Sequence, residues 1–291
     1  MKQQKSFEEG YEKGILYLVP TPIGNLEDIT FRAISTLKDV DWIAAEDTRN
    51  TKKLCNYFDI QTPLISYHEH NKEKSGKHII QLLEEGKKVA IVSDAGMPAI
   101  SDPGFDIVSW ALEKDFKVIS LPGANAALTA LTASGLPPQP FYFYGFLNRK
   151  KKDRIIELEK MKYIKDTIVF YEAPHRLKDT IETILEVFGD RKIVLARELT
   201  KKYEEYIRGT LRDIIGWIDE NEVRGEFCII VEGTMEEEQK EECFWENLSL
   251  NEHVQTYINQ GYSTKEAIKK VAAERNLSKR DVYREFHTKE E

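Results

Sequence analysis

Val89-Ala-Ile-Val-Ser-Asp-Ala-Gly-Met-Pro-Ala-Ile-Ser-Asp-Pro-Gly104 is the stretch on which the reading of this chain turns. An apolar, β-branched run ends at Ser93-Asp94, and Gly96, Pro98 and Gly104 then shape a loop. Ser101 or Asp102 can cap a following helix that opens with Pro103 in its first turn. Open α/β sheets bind ligands outside the carboxyl ends of their strands, where such a loop sits. Asp94 is an acceptor-only carboxylate suited to a ribose hydroxyl or an ammonium group. Gly96 lets backbone approach a ligand closely. The same residues also describe a well-made turn and cap, and their chemistry alone leaves the two readings level.

Outward from this stretch, apolar runs alternate with helical patterns, the mark of a mainly parallel α/β sheet. Strands are predicted over 15–19, 42–45, 64–67, 89–93 and 118–121, with helices over 78–85 and 105–113. A second set of strands follows over 141–146, 167–171, 193–199, 205–208 and 227–231. The helix predicted over 176–188 places Leu177, Ile181, Ile184, Leu185 and Phe188 on one face. A small-residue helix over 124–134 bridges the two sets. The expected divisions are a polar extension over 1–14, an N-terminal α/β domain over 15–123, a C-terminal α/β domain over 124–234, an acidic linker over 235–246 and an appendage over 247–291. In the appendage two short helices, capped at Ser263 or Thr264 and at Ser278 around a turn at Asn276, resemble a helix-turn-helix.

The chain has 291 residues, 41% of them hydrophobic and 32% charged, enough for two cored units with an ordinary polar surface. Cys55, Cys228 and Cys243 are widely separated and form no CxxC pair, which argues against a disulfide framework or a structural zinc site. The polar first fourteen residues do not resemble a signal peptide, and no apolar run is long enough to span a bilayer, so a cytoplasmic protein is expected. The net charge of −8 disfavours a polyanionic partner at first sight. Six glutamates against one lysine between positions 236 and 246, however, hold five of those eight net charges.

Glu46-Asp47-Thr48-Arg49 follows a predicted strand. It reads either as a solvated helix cap or as a site where Arg49 orients a phosphate while Asp47 or Glu46 takes a hydroxyl proton. His68 and Asn71, after the next strand, are alternatives of the same kind, although a lone histidine is more often structural. Six histidines without ligand spacing suggest no metal site. There is no nucleophile-elbow motif for Ser-His-Asp catalysis. Arg149-Lys-Lys-Lys-Asp-Arg154 follows the aromatic run Phe141-Tyr-Phe-Tyr-Gly-Phe146. A buried strand leading into a basic, RNA-facing loop reconciles the two, with Arg149, Lys150 and Lys151 as phosphate contacts and Lys201 and Lys202 extending the patch. Lys269, Lys270, Lys279 and Arg280 suit an accessory RNA contact, but neighbouring acids weaken the case for a DNA reader.

Several motifs in order resemble the tetrapyrrole-methylase-like class of methyltransferases, and within it the branch that methylates small-subunit ribosomal RNA. They are Leu18-Val-Pro-Thr-Pro-Ile-Gly-Asn-Leu, Ala45-Glu-Asp-Thr-Arg-Asn-Thr, Ser66-Tyr-His-Glu-His-Asn, the 93–104 loop, Leu121-Pro-Gly-Ala-Asn-Ala, Phe170-Tyr-Glu-Ala-Pro-His-Arg, Arg197-Glu-Leu-Thr-Lys and Arg208-Gly-Thr-Leu, spanning about residues 15 to 233. Asn148 departs from the pattern, where a proline is expected; this concerns a loop and not the cofactor. The resemblance implies two α/β domains with S-adenosylmethionine in the cleft between them, and no GxGxxG dinucleotide fingerprint occurs. It places Gly96, Met97 and Pro98 in the cofactor loop with Asp94 and Ser101 alongside, and Pro20, Ala124 and Asn125 facing the cofactor. Tyr171, Gly209 and Thr210 fall on the adenine wall. It further implies methyl transfer to the ribose 2′-hydroxyl of a cytidine in the decoding region of 16S rRNA, within the small ribosomal subunit, by a homodimer that needs neither metal nor membrane. The alternatives are a tetrapyrrole or protein methylase of the same fold, or a nucleic-acid-binding regulator in which residues 247–291 carry the function.

Overall fold

The computed structural model describes residues 3–6, 13–236, 244–245 and 248–287. Residues 1–236 form one compact unit and 237–291 a second.

Lys88–Val92 becomes the central strand β4 of the first sheet, and four of its five residues are buried. Burial on both faces explains its unbroken apolar character. Around it lie β1 (Ile15–Leu18), β2 (Trp42–Ala45), β3 (Leu64–Ser66) and β5 (Lys117–Ser120), in the order β3-β2-β4-β1-β5. All four pairings are parallel. The chain leaves β1 toward β2 but leaves β4 toward β5, so the crossovers diverge between β4 and β1, which places the crevice at their carboxyl ends. Two helices cover each face. Helices α1 (Phe31–Asp39) and α2 (Thr48–Tyr57) bury Ala33, Leu37 and Cys55 on one. On the other, α3 (Lys72–Glu84) and α4 (Gly104–Glu113) bury Ile79, Leu83, Ile107 and Ala111.

The second sheet has the order β6-β7-β10-β8-β9, with β6 (Phe141–Phe146), β7 (Thr167–Glu172), β8 (Lys192–Arg197), β9 (Glu205–Thr210) and β10 (Phe227–Val231). The expectation of mainly parallel strands fails here. Only β6 and β7 are parallel; β10 runs antiparallel to both β7 and β8, and β9 antiparallel to β8. Every residue of β10 is buried. Such a strand carries no alternation, so its sequence is compatible with either direction. Helices α6 (Lys151–Glu159), α7 (Leu177–Phe188) and α8 (Leu211–Glu220) cover one face. The short α5 (Ala126–Thr132) covers the other. On α7, Leu177, Ile181, Ile184 and Phe188 are buried, whereas Leu185 is only partly covered.

Among the described residues the second unit holds three helices, α9 (Leu250–Asn259), α10 (Thr264–Glu274) and α11 (Lys279–His287), where two were expected. Capping boxes Ser249/Glu252 and Ser263/Glu266 start the first two. Ser278 accepts a hydrogen bond from Asp281 N at 3.1 Å, and the turn at Asn276 takes φ +52°. Val254, Val271 and Val282 fill a small core. Lys270 sits over the rings of Tyr257 and Tyr262 at 4.5 and 4.4 Å, so that cation serves packing within the unit. Most of the expected acidic linker, at 237–243 and 246, lies outside the described residues, as does Cys243.

Candidate active site

The loops after β1, β2, β4 and β5 meet at the carboxyl edge of the parallel sheet. Thr21 and Gly96 pair as a two-way backbone bridge, at 2.9 and 3.0 Å. Thr21 Oγ1 donates to Ser93 O at 3.1 Å, and Ser93 Oγ donates to Gly96 O at 2.9 Å. Gly96 adopts φ +82°, and a Cβ there would come within 3.1 Å of Ile23 Cγ2 and 3.3 Å of the Ala124 carbonyl. Glycine is therefore required by both conformation and space. Asp94 Oδ1 accepts the Asp47 N–H at 3.0 Å, clipping the β2 loop to the β4 loop. Asp102 accepts from Ala99 N at 3.0 Å and Gly104 N at 2.8 Å, and so closes the turn in which Ala99 takes φ +67°. The helix start is thus Asp102's work and not that of Ser101, and Pro103 is the residue before the first turn, not within it.

From the second sheet comes the opposite wall. Tyr171 packs against Phe143 and Phe146, with ring centroids 5.1 and 5.6 Å away, and its hydroxyl accepts the Ala127 N–H at 3.1 Å. Burial pushes the Tyr171 phenol up to about 12, so it remains a neutral hydrogen-bonding group. Asn125 caps α5 by accepting from Leu128 N at 3.0 Å. Between these walls lies a cavity of about 510 Å³. Asp94, Gly96, Met97, Ser101, Asn125 and Tyr171, six of the residues expected around a cofactor, line it together with Glu46. Pro20, Pro98 and Ala124 are not among the lining residues; Pro20 packs against Gly123, where a Cβ would lie 2.5 Å from its own Cβ, and the Ala124 carbonyl faces Gly96.

Gly209 and Thr210 are not brought to this cavity. Thr210 caps α8 in a reciprocal pair with Asp213, and a Cβ on Gly209 would fall 2.9 Å from the Asp213 Cβ. The cavity meets the β8/β9 pair at Ala196, whose partner is Tyr206. Four residues of extended strand, roughly 13 Å, separate Thr210 from that point. Their motif is a helix start.

Among the candidate proton acceptors, Asp47 is the N-cap of α2 and is gripped by Arg49 at 2.7 Å. Hydrogen bonds from the Arg49 side chain and backbone hold its carboxyl at about 2. Arg49 is thereby engaged within its own turn. Glu46, one residue earlier, lines the cavity; burial, then Asp94 and Asp102, push its carboxyl above the usual carboxylate range. His68 lies near enough to pull Glu46 partly back down. Its backbone N–H donates to Asn71 Oδ1 at 2.8 Å, and Asn71 in turn donates to Ser66 O at 3.2 Å, so Asn71 organises the turn before α3.

The basic run divides. Arg149 and Lys150 are exposed, and Lys151 meets Glu186 at 3.0 Å on the surface. Arg154 is fully buried, hydrogen-bonded to Thr183 Oγ1 and to Asp179 at 2.5 Å, so it belongs to the core and not to an RNA-facing loop. The reason is helical: α6 turns Arg154 toward α7. Lys201 lines the cavity and pairs with Glu198 at 3.0 Å, while Lys202 lies over Tyr203.

Sequence reasoning missed Glu172, Glu198 and Glu226 on the cavity wall. Glu172 is buried and accepts from Thr180 Oγ1 at 2.6 Å and from Ala173 N at 2.9 Å. It also meets Arg176 at 3.3 Å, and Arg176 donates to the Leu147 carbonyl at 2.8 Å. No helical spacing could have signalled that pair, because Glu172 ends β7 and Arg176 sits in the turn that follows. Among the described residues no cluster of three metal-ligating side chains occurs, and no helix is long and apolar enough to cross a membrane.

Two unlike sheets closing on a glycine-shaped loop define a methyltransferase of the tetrapyrrole methylase class, and the sequence pattern of Tetrapyrrole (Corrin/Porphyrin) Methylases matches residues 15–215. Solved structures agree on the fold. Cobalt precorrin-4 methyltransferase superposes with a TM-score of 0.58 at 18% identity, covering 75% of this chain and 94% of that one. Uroporphyrin-III C-methyltransferase from Thermus thermophilus, complexed with S-adenosyl homocysteine, gives 0.56 at 19% identity, covering 75% and 97%. More similar in sequence is the ribosomal RNA small subunit methyltransferase I of Bacillus subtilis, 60% identical over 291 residues and covering 100% of both chains. The protein of that name from Synechocystis is 42% identical over 271 residues, covering 93% of this chain and 96% of its own. The chain belongs to the ribosomal RNA small subunit methyltransferase I family.

Proposed function

We propose that this protein transfers the methyl group of S-adenosylmethionine to the ribose 2′-hydroxyl of a cytidine in the decoding region of 16S rRNA, within the small ribosomal subunit. The observation that carries the reading is the cavity itself. It has the volume of a small-molecule site, and six acidic residues line it against the single basic residue Lys201. That charge balance suits a donor bearing a sulfonium and an ammonium group, and the wall from Ile23 to Tyr171 offers apolar surface for an adenine. The residues therefore fit the donor. The loop Gly96-Met97-Pro98 with Asp94 and Ser101 would hold it from the parallel sheet, and Asn125 and Tyr171 from the other side, with Pro20 and Ala124 fixing the loops. When bound, the donor supplies an electrophilic methyl group on sulfur.

The protein's own contribution is mainly placement, which in such transfers accounts for most of the acceleration. Glu46 is the proton acceptor for the 2′-hydroxyl, because it lines the cavity and its raised carboxyl is a better base than an ordinary carboxylate. Asp47 is too firmly ionised for that task and instead fixes Arg49 and the start of α2. His68 tunes Glu46. Arg149, Lys150 and, once detached from Glu186, Lys151 meet RNA phosphates. The protein works in the cytoplasm as a homodimer.

The test is transfer of tritium from labelled S-adenosylmethionine to small-subunit RNA, followed by nuclease mapping. Label on a cytidine ribose supports the reading; label on a base or on a protein refutes it.

A further inference from the structure

A second cavity of about 490 Å³ abuts the first, and the two share Ile23, Asp94, Lys201 and Glu226 as a common wall. Its other side is helix α2, which contributes Asn50, Lys53, Leu54 and Tyr57. This helix, Thr48-Arg-Asn-Thr-Lys-Lys-Leu-Cys-Asn-Tyr57, carries three cations and no acid. In a chain of net charge −8 that is a local reversal of sign. Arg49 is neutralised by Asp47, which leaves Lys52 and Lys53 as the positive face. Tyr57 is 65% exposed, and its ring is propped at 79° by Phe58, with centroids 4.8 Å apart. Three independent features thus meet at one place: a cavity sharing a wall with the donor site, a purely cationic helix, and an exposed, propped aromatic ring.

The sheet edge explains why they meet. Asp47 caps α2, and the Asp47 N–H is clipped to Asp94, so the helix is anchored directly to the donor loop. On the opposite side, Gly24 lies against Lys201: a Cβ there would be 2.5 Å from Lys201 Cγ. Lys201 is held by Glu198 and, at 3.7 Å, by Glu226.

We infer that the second cavity receives the target nucleotide of single-stranded RNA, with Tyr57 as the stacking platform for a base and Lys53 and Lys52 as contacts to its flanking phosphates. Single-stranded RNA is read by splaying bases onto aromatic rings, and an enzyme acting on one nucleotide must take it out of its stack. A ribose seated there would lie against Asp94 on the shared wall, beside the cavity that Glu46 lines. The inference rests on the RNA reading proposed above and deepens it by naming the acceptor subsite.

The experiment compares wild type with Tyr57→Ala, Tyr57→Trp and Lys53→Ala in the full chain. Three quantities are measured: KM for small-subunit RNA, anisotropy-detected affinity for a short cytidine-containing single-stranded oligoribonucleotide, and calorimetric affinity for S-adenosylhomocysteine. Tyr57→Ala should weaken RNA binding by about tenfold to a hundredfold, the range for loss of one stacked base. Tyr57→Trp should restore most of that loss. Lys53→Ala should lower the salt dependence of binding by about one phosphate contact. Affinity for S-adenosylhomocysteine should be unaffected by all three, which also shows that the variants are folded. Unchanged KM and oligonucleotide affinity in Tyr57→Ala overturn the subsite while leaving methyl transfer to RNA intact. If wild type binds the oligonucleotide but transfers no label to RNA, the functional reading fails first, and the response of the Tyr57 variants still decides whether α2 is a nucleotide site.

Discussion

Replacing Gly96 by alanine tests whether the loop after β4 is built for the donor. At φ +82° an alanine is strained by roughly 1–3 kcal/mol. The loop has little freedom to escape, because Gly96 is bonded to Thr21 through both its N–H and its carbonyl, and giving up those bonds costs about 1 kcal/mol each. The new methyl group must also push Ile23 or the Ala124 carbonyl, at 3.1 and 3.3 Å. Ile23 lines the cavity and Ala124 precedes Asn125, which does too. The matched control is Gly189→Ala. Gly189 ends α7 at φ +75°, ψ −176°, and a Cβ there meets nothing within 4 Å, so this variant bears the backbone strain alone. Both variants should melt lower, by about 2–4 °C per kcal/mol for a chain of this size. Only Gly96→Ala should also weaken S-adenosylhomocysteine binding in calorimetry, by about tenfold, the equivalent of 1.4 kcal/mol. Equal affinities in the two variants would refute the argument that this loop's geometry serves the ligand.

Glu46→Gln should lower kcat by about 10²–10⁴ with the affinity for S-adenosylhomocysteine little changed. The base form of Glu46 is gained as pH rises through a pKa above the usual 4.5, so the wild-type pH–rate profile should show an acid limb there that the variant lacks. A limb that persists in Glu46→Gln assigns the base elsewhere. Asp47 acts on stability with the depressed-carboxylate sign. Its contribution is present above 3.8 and lost as pH falls toward about 2, and urea midpoints of Asp47→Asn should not show that acid-side loss. The basic run should separate under mutation. Arg154→Ala deletes a fully buried side chain and should cost about 2–5 kcal/mol in urea unfolding. Lys150→Ala, exposed, should cost under about 0.5 kcal/mol yet reduce the salt slope of RNA binding by about one.

The parallel sheet was legible because its signal is redundant. Apolar runs such as 89–93 end in glycine-, proline- and aspartate-rich loops, and that combination admits few folds. The antiparallel course of β10 left no trace, since a strand buried at every residue lacks the alternation that reveals orientation. Six of the residues expected around a cofactor line one cavity, four of them in the 93–104 stretch, where a glycine and a proline leave the backbone little choice of path. Gly209-Thr210 misled because a glycine and a capping threonine look alike whether they face a ligand or start α8. Arg154 misled because five of the six residues in 149–154 are cationic, while helix phase, invisible until the start of α6 is fixed, sends one of them into the core. On helix α2 only Arg49 was read as a contact, since the pair Lys52-Lys53 is too short a run to stand out beside 149–154.

The placement of charge resolves the difficulty that an acidic protein poses for an RNA partner. The donor cavity gathers Glu46, Asp94, Asp102, Glu172, Glu198 and Glu226. On the proposed function, such a wall attracts a cationic donor and loses that attraction once the sulfonium has become a neutral thioether, so the same carboxylates favour binding and then product release. It also repels phosphate. On the proposed function, a polyanion is met where the sign reverses, along Lys52 and Lys53 of α2 and along Arg149 and Lys150. In that reading, repulsion from the pocket and attraction to the cations of α2 together direct a single nucleotide inward while the backbone stays outside. Most of the net charge of −8 lies in the 236–246 stretch, so what an incoming polyanion meets is set by these two local fields, which adjoin at Asp94 and Lys201, residues that line both cavities.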